Sequence, residues 1–212
     1  MPTVIAGIEI PDTRATVEAT ALIAAQGEPL LVEHSHRVFL FGTLLARQRG
    51  IEPDPELLYL ASMFHDGGLL APYSDLVQRF ELDGADRARA FLVAHGFSEP
   101  ASSVVWEAIA LHTTPEVPAR LGPVIAATNA GVLIDAIGVG LDELDAEAVA
   151  EVTAAHPRGD FKRDFPELFH RGLRHRPGTA YGTVNADVLA HFEPGYRRGD
   201  MVERITGSAW PS

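Results

Sequence analysis

Residues 57–68 read Leu-Leu-Tyr-Leu-Ala-Ser-Met-Phe-His-Asp-Gly-Gly, and the rest of the chain can be interpreted outward from them. The segment from Leu57 to Phe64 carries no charge, which predicts a helix buried on all sides. Asp54 can cap that helix with Pro55 at its first position, and two glycines end it. The stretch therefore predicts a buried helix that ends on an adjacent imidazole and carboxylate, His65 and Asp66.

Two further residues of ligand type lie in apolar, helix-periodic runs. His34 shares a face with Val38 in the predicted helix Leu30 to Gln48, whereas His36 points about 200° away at ~100° per residue. Asp135 is the only charge in the run from Leu121 to Ile137, where an isolated buried carboxylate would be unfavourable. Imidazole and carboxylate groups together suit a divalent first-row metal. We therefore predict a metal site formed by His34, His65, Asp66 and Asp135.

These motifs resemble the HD-domain metallohydrolase superfamily, named for its adjacent His-Asp pair. The resemblance covers most of residues 30–192, and several segments are similar to its cyanamide hydratase-like branch. The segments that carry the resemblance are His34-Ser35-x-Arg37-Val38, Phe64-His65-Asp66-Gly67, Arg79 to Ala85, Ala108 to Thr114, Leu133 to Gly138, Pro157-Arg158 and Phe161 to Phe165.

The resemblance implies a metal-dependent hydrolase or hydratase that adds metal-activated water to a small molecule. Within the branch, the implied reaction is hydration of a cyano group, cyanamide to urea. The implied cofactor is one divalent ion, zinc or iron first, with manganese, cobalt or nickel as further options. In this interpretation Asp66 belongs to the catalytic set as well as to the ligands.

His112 and Arg37 complete the predicted catalytic set. His112 is interpreted as a proton shuttle, a substrate contact or a ligand to a second metal; the structural alternative is a histidine that caps its own helix. Arg37 either holds the substrate or pairs with Asp66, and we favour the pairing. The other histidines are expected to be surface or capping residues.

The chain is predicted to be one all-α HD domain over residues 1–212, a bundle of about eight or nine helices. Its helical core is expected over about 12–192, after an N-terminal arm (1–11) and before a C-terminal tail (193–212). A loop that can include one helical turn is expected over 69–82, followed by a helix from Asp83 to His95. Residues 157–183 are interpreted either as a lid or as ordinary solvated helix.

Composition narrows the possible partners. The formal charge of −12 argues against nucleic acid and anionic membranes, which both call for clustered basic residues. The chain has no cysteine, so it has no disulfide and no thiolate ligand. No secretory signal and no membrane-spanning run is visible. We expect a cytoplasmic protein that acts on a small molecule, and the sequence leaves a homo-oligomer open.

Three alternatives remain open from the sequence. A nucleotide or small phosphate ester phosphohydrolase would call for an acidic helper after the His-Asp pair, but residues 67–71 are uncharged. A two-metal oxygenase would need more ligands than the sequence offers, with His112 as the spare. A binding module with a structural metal would have a closed site, whereas four ligands leave open positions if the ion accepts five or six.

Overall fold

The computed structural model describes residues 2–72 and 77–210, and these fold as an all-α bundle, as predicted. Within those ranges ten α-helices occur, against the predicted eight or nine. They are α1 (Arg14–Ala24), α2 (Pro29–Gln48), α3 (Pro55–Phe64), α4 (Phe80–Ala94), α5 (Glu99–Leu111), α6 (Pro123–Ile137), α7 (Ala146–Ala155), α8 (Phe161–Leu173), α9 (Asn185–Phe192) and α10 (Met201–Thr206).

The structure differs from the sequence prediction at both ends and in one loop. The N-terminal arm contains two short antiparallel strands, β1 (Val4–Ile5) and β2 (Ile8–Glu9), and the C-terminal tail contains α10. Helix α4 begins at Phe80, inside the loop predicted over 69–82. Residues 73–76 of that predicted loop lie outside the described residues.

Side-chain caps fix the starts of several helices, as the sequence predicts. The side chain of Asp54 accepts from the backbone N–H of Leu57 at the start of α3. Ser98 does the same for α5, where it accepts from Ala101. These bonds satisfy backbone donors that have no partner inside the helix, and they fix where the helices that end at His65 and His112 begin.

Glycines let α2 and α6 pack with their backbones almost in contact. A Cβ at Gly131 would collide with the carbonyl oxygen of Val38, and a Cβ at Gly42 would collide with that of Ala127. The small residue Gly131 of α6 therefore serves close helix packing. This packing brings Asp135 on α6 next to His34 on α2.

Two apolar clusters enclose the ligand-bearing residues. The larger cluster is the core formed mainly by α2, α3, α5 and α6. The smaller cluster centres on α8 and α9 and includes Leu69 and Phe80. Helix α8 contacts the turn that follows α3, so the smaller cluster covers the end of α3 where His65 and Asp66 lie. Across the described residues, none of the helices has the length and apolar character needed to cross a membrane.

Candidate metal centre

Three side-chain atoms converge at the end of α3. The Nε2 atoms of His34 and His65 are 3.2 Å apart. The Oδ2 atom of Asp66 lies 3.6 Å from the first and 3.2 Å from the second. All three residues are buried, with at most 3% of their surface exposed.

Hydrogen bonds fix which ring nitrogens carry protons. His65 Nδ1 faces the carbonyl oxygen of Ser62 at 2.7 Å, and a carbonyl can only accept. His34 Nδ1 faces the carboxylate of Asp135 at 2.6 Å. Both Nδ1 atoms therefore donate, and in the neutral rings the Nε2 lone pairs point toward each other and toward Asp66.

This arrangement fits a divalent metal ion. Bonds of about 2.1 Å to nitrogen and oxygen place neighbouring ligand atoms about 3.0 to 3.5 Å apart, close to the separations seen here. In addition, Asp66 Oδ2 is buried and has no hydrogen-bond partner among the residues that the structure describes. Three electron-rich atoms that face each other in a dry site call for a cation, so His34, His65 and Asp66 are the residues that would hold it.

The ionised form of Asp66 is favoured despite its burial. Burial alone would raise the pKa of this carboxyl, but the adjacent His65 and the nearby His112 outweigh that effect and hold it well below its usual range. Asp66 is therefore a carboxylate at neutral pH, as a metal ligand must be.

The structure does not bring Asp135 to the converging atoms. Its Oδ2 accepts from His34 Nδ1 at 2.6 Å and from Arg37 Nη2 at 2.9 Å. Its Oδ1 accepts from Arg37 Nε at 2.8 Å and from Arg158. Four donors occupy this carboxylate. Burial raises its pKa, but His34 and Arg37 outweigh that effect and hold it below the usual range. Asp135 thus orients His34 from behind, and its predicted role as fourth ligand stays a prediction that this geometry does not support.

The predicted partner of Arg37 was wrong. We expected Arg37 to pair with Asp66, but its guanidinium binds both oxygens of Asp135 instead. Its Nη1 also donates to the carbonyl oxygens of His156 and Pro157. The spacing on α2 explains this, since Arg37 lies one turn beyond His34 and reaches the same carboxylate on α6. Arg37 therefore supports the site without facing the converging atoms.

His112 lies on the other side of Asp66. It is the C-terminal cap of α5, and its Nδ1 donates to the carbonyl oxygen of Ile109 at 2.6 Å. Its Nε2 lies 3.5 Å from Asp66 Oδ1. One ring nitrogen of His112 therefore caps the helix and the other faces Asp66, and the functional interpretations of His112 stay predictions.

A buried glutamate beside His112 was missed from the sequence. Glu81 is fully buried in the first turn of α4, where it accepts from Thr113 Oγ1 at 2.6 Å and from Arg79 Nη2 at 2.7 Å. The amide of Asn185 on α9 also donates to it, at 3.2 Å. Burial raises its pKa, but Arg79 and His112 outweigh that effect and lower it. Glu81 was missed because it fell within the predicted loop. Acidic residues are favourable in the first turn of a helix, so Glu81 could have indicated that a helix begins there.

The Glu81→Gln variant is expected to show a pH-dependent loss of stability. Because the pKa of Glu81 is lowered in the fold, its contribution is fully present well above the unfolded value of about 4.3 and is lost as the pH falls from there through the lower folded value. At pH 7 the variant should lose about 2 kcal/mol of unfolding free energy, the usual size for hydrogen bonds to a charged group. Urea unfolding at pH 7 and pH 3 should show this deficit shrinking at the lower pH. The exposed Glu147→Gln variant is the control, and an equal deficit at both pH values would contradict the expectation.

Aromatic rings form the cover over the imidazoles. Phe161, Phe165 and Phe169 follow one stripe of α8, and neighbouring ring centroids are 4.5 and 5.5 Å apart. The row continues through Phe80, 5.1 Å from Phe169, to His112, 5.5 Å from Phe80. His34 contacts the other end of the row. The predicted solvated-helix interpretation of this region is therefore incomplete, because one face of α8 packs on the site.

The chain belongs to the HD domain family, whose pattern matches residues 31–160, more than half of its length. Proteins of this superfamily are generally metal-dependent hydrolases, and the buried His34-His65-Asp66 group gives this chain a site suited to a divalent metal. No curated protein matches the chain closely enough to count as a relative.

Proposed function

We propose that this protein adds water to a small uncharged nitrile, with cyanamide as the sharpest substrate. The observation that carries the proposal is the surroundings of His34, His65 and Asp66. Phenylalanine rings cover these residues, and the neighbouring arginines already pair with carboxylates. Arg37 and Arg158 bind Asp135, and Arg79 binds Glu81. A phosphate group would want cations free to bind it. A small neutral substrate needs none.

The roles of the residues follow from their contacts. His34, His65 and Asp66 would hold the ion, which when bound lowers the pKa of water and supplies hydroxide at neutral pH. Asp135 keeps His34 in the tautomer that offers Nε2. The phenylalanines of α8 keep bulk water out, which strengthens the electrostatic interactions inside the site.

His112 is the proposed proton carrier. Its Nε2 faces Asp66 Oδ1, and a proton held there can pass to the nitrogen of the substrate. In the reaction a C–O bond forms, one π bond of the cyano group opens, and the nitrogen takes a proton from His112. The proton lost by the attacking water restores His112, and the product of this step is the imidic acid, R–C(OH)=NH. Transfer of its O–H proton to the nitrogen then gives the carboxamide, so a nitrile plus water gives an amide and cyanamide gives urea.

Two measurements test this proposal in sequence. Elemental analysis of protein purified without chelators should give one zinc or iron per chain. The loaded protein should then form urea from cyanamide, or amides from small nitriles, and release no phosphate from a nucleotide panel. Phosphate release without nitrile turnover would replace the proposal with a phosphohydrolase, and two irons per chain would replace it with an oxygenase.

A further inference from the structure

The metal-binding residues are sealed, so a substrate has to pass through their cover. Two recesses in the described surface approach them. The first has a volume of about 580 Å³ and is bordered by Asp135, Arg158, Phe161 and Phe165. The second has a volume of about 460 Å³ and is bordered by residues that include Arg79, Thr113 and Tyr181.

Two aromatic rings, those of Phe161 and Phe165, connect the first recess to His34, beside the hydrogen-bonded carboxylate of Asp135. The ring centroids of Phe161 and Phe165 lie 5.3 and 5.0 Å from that of His34, and both rings also border the recess. Phe161 is held firmly, because the guanidinium of Arg158 lies 4.5 Å above its ring. Phe165 is only half-buried. Phe165 is therefore the ring whose movement would expose His34 at the smallest cost.

The backbone next to Phe165 is weakly tied. Pro166 lies inside α8 and has no N–H to donate to the carbonyl of Lys162. The residue before a proline is also disfavoured in helical conformation. The first turn of α8 is therefore less strongly bonded to the rest of the helix, which favours local opening there.

The second recess ends on a closed polar network. Thr113 and Arg79 line it and both donate to the buried Glu81. A molecule that entered there would have to break hydrogen bonds to a buried carboxylate, which is costly. The first recess is bordered by Asp135, Arg158 and Lys162 as well as by apolar residues, but past the rings of Phe161 and Phe165 a molecule displaces apolar contacts rather than hydrogen bonds.

We propose that Phe165 is the specificity-determining residue and that substrate enters past its ring from the first recess. An apolar passage admits small uncharged molecules and rejects phosphate esters, because charge is costly to move between two phenyl rings. The nature of the substrate rests on the proposed function, whereas the passage itself needs only the metal centre.

The test measures metal release, which needs no substrate. The loaded protein is mixed with excess EDTA, and the first-order rate of metal loss is followed for three alanine variants. Phe165→Ala should release metal about tenfold faster, since truncating a packed phenylalanine removes much of the resistance to opening. Phe192→Ala truncates a half-buried phenylalanine of α9 that stacks on His170 away from the site, and should leave the rate unchanged. Tyr181→Ala widens the second recess and should also leave it unchanged.

A bulkier ring provides the opposite change. Phe165→Trp should release metal more slowly than the unmodified protein, which a general loosening of the fold cannot explain. Faster release from Tyr181→Ala with an unchanged Phe165→Ala rate would overturn the proposal and place the entrance at the second recess. For turnover, Phe165→Ala should shift the preference from cyanamide toward larger nitriles. Altered release rates without nitrile turnover would reject the proposed function and leave the passage standing.

Discussion

Replacement of Asp66 by asparagine is expected to lower the affinity for a divalent metal by a factor of about 100 to 1,000. Metal binding at a four-ligand zinc site contributes about 10 to 16 kcal/mol, which is roughly 3 kcal/mol for each ligand. The loss of one ligand therefore lowers the metal affinity by a factor of about 100 or more. Asp66 supplies the one carboxylate oxygen among the three converging atoms, and within residues 2–72 and 77–210 that oxygen has no hydrogen-bond partner. Competition with a metal-sensitive dye measures the loss directly.

The matched control is Asp135→Asn. It removes the same carboxylate charge, but from a residue that contacts the ligand His34 and not the converging atoms themselves. Asp135 contacts the rear nitrogen of His34, so the control should bind metal with only about 10- to 100-fold lower affinity, as for other groups behind a ligand. Metal binding by Asp66→Asn at the unmodified affinity would show that the converging atoms do not form the centre. A larger loss in Asp135→Asn than in Asp66→Asn would instead show that Asp135 is itself a ligand.

The sequence predicted the fold and the convergence of His34, His65 and Asp66 because both depend on local signals. Helical period placed His34 on a core-facing stripe, and the apolar run before His65 required a buried helix that ends at the Gly67-Gly68 break. Capping residues such as Asp54 fixed where these helices begin. Each of these signals lies within one helix. The period of about 3.6 residues per turn then predicts from the sequence which residues share a face.

The partners of the charged residues could not be predicted in the same way. The prediction for Asp135 assumed that a buried carboxylate on an apolar helix needs a metal. The structure supplies two guanidinium groups and an imidazole instead. Arg158 follows α7 and reaches Asp135 only through the tertiary fold, so no spacing rule connects the two residues. Glu81 was missed for a similar reason, since its partners Thr113 and Asn185 come from α5 and α9 and their connections.

The aromatic cover of α8 could be predicted only in part from the sequence. The spacing of Phe161, Phe165 and Phe169 at every fourth residue predicts one stripe on a helix. What that stripe packs against depends on how α8 docks, and the sequence left both a lid and a solvated helix open. The structure shows the stripe against His34 and Phe80. Local pattern therefore identifies the packing face, and only the tertiary arrangement identifies what it covers.

Replacement of His112 by alanine is expected to lower turnover of the loaded protein by a factor of about 100 to 10,000, the usual contribution of a positioned acid or base. The Nε2 atom of His112 faces the site, and its Nδ1 is fixed on the backbone of α5, so the ring is held where it can pass a proton. Metal content should stay at one ion per chain, because His112 lies outside the group of converging ligand atoms. The measurement is kcat on cyanamide, or on the nitrile that the substrate screen identifies, together with elemental analysis of the same sample.

His95 offers a matched control for the helix-capping role. It caps the C-terminus of α4 as His112 caps α5, and its Nδ1 likewise lies 2.8 Å from a backbone carbonyl oxygen, that of Phe91. His95→Ala should therefore lose a comparable capping contact, yet keep full turnover, because its other ring nitrogen contacts Glu18 far from the centre. Full turnover in His112→Ala would show that His112 only caps its helix and takes no part in catalysis. A loss of metal in that variant would instead make it a ligand, and the two-metal interpretation would then regain its main support.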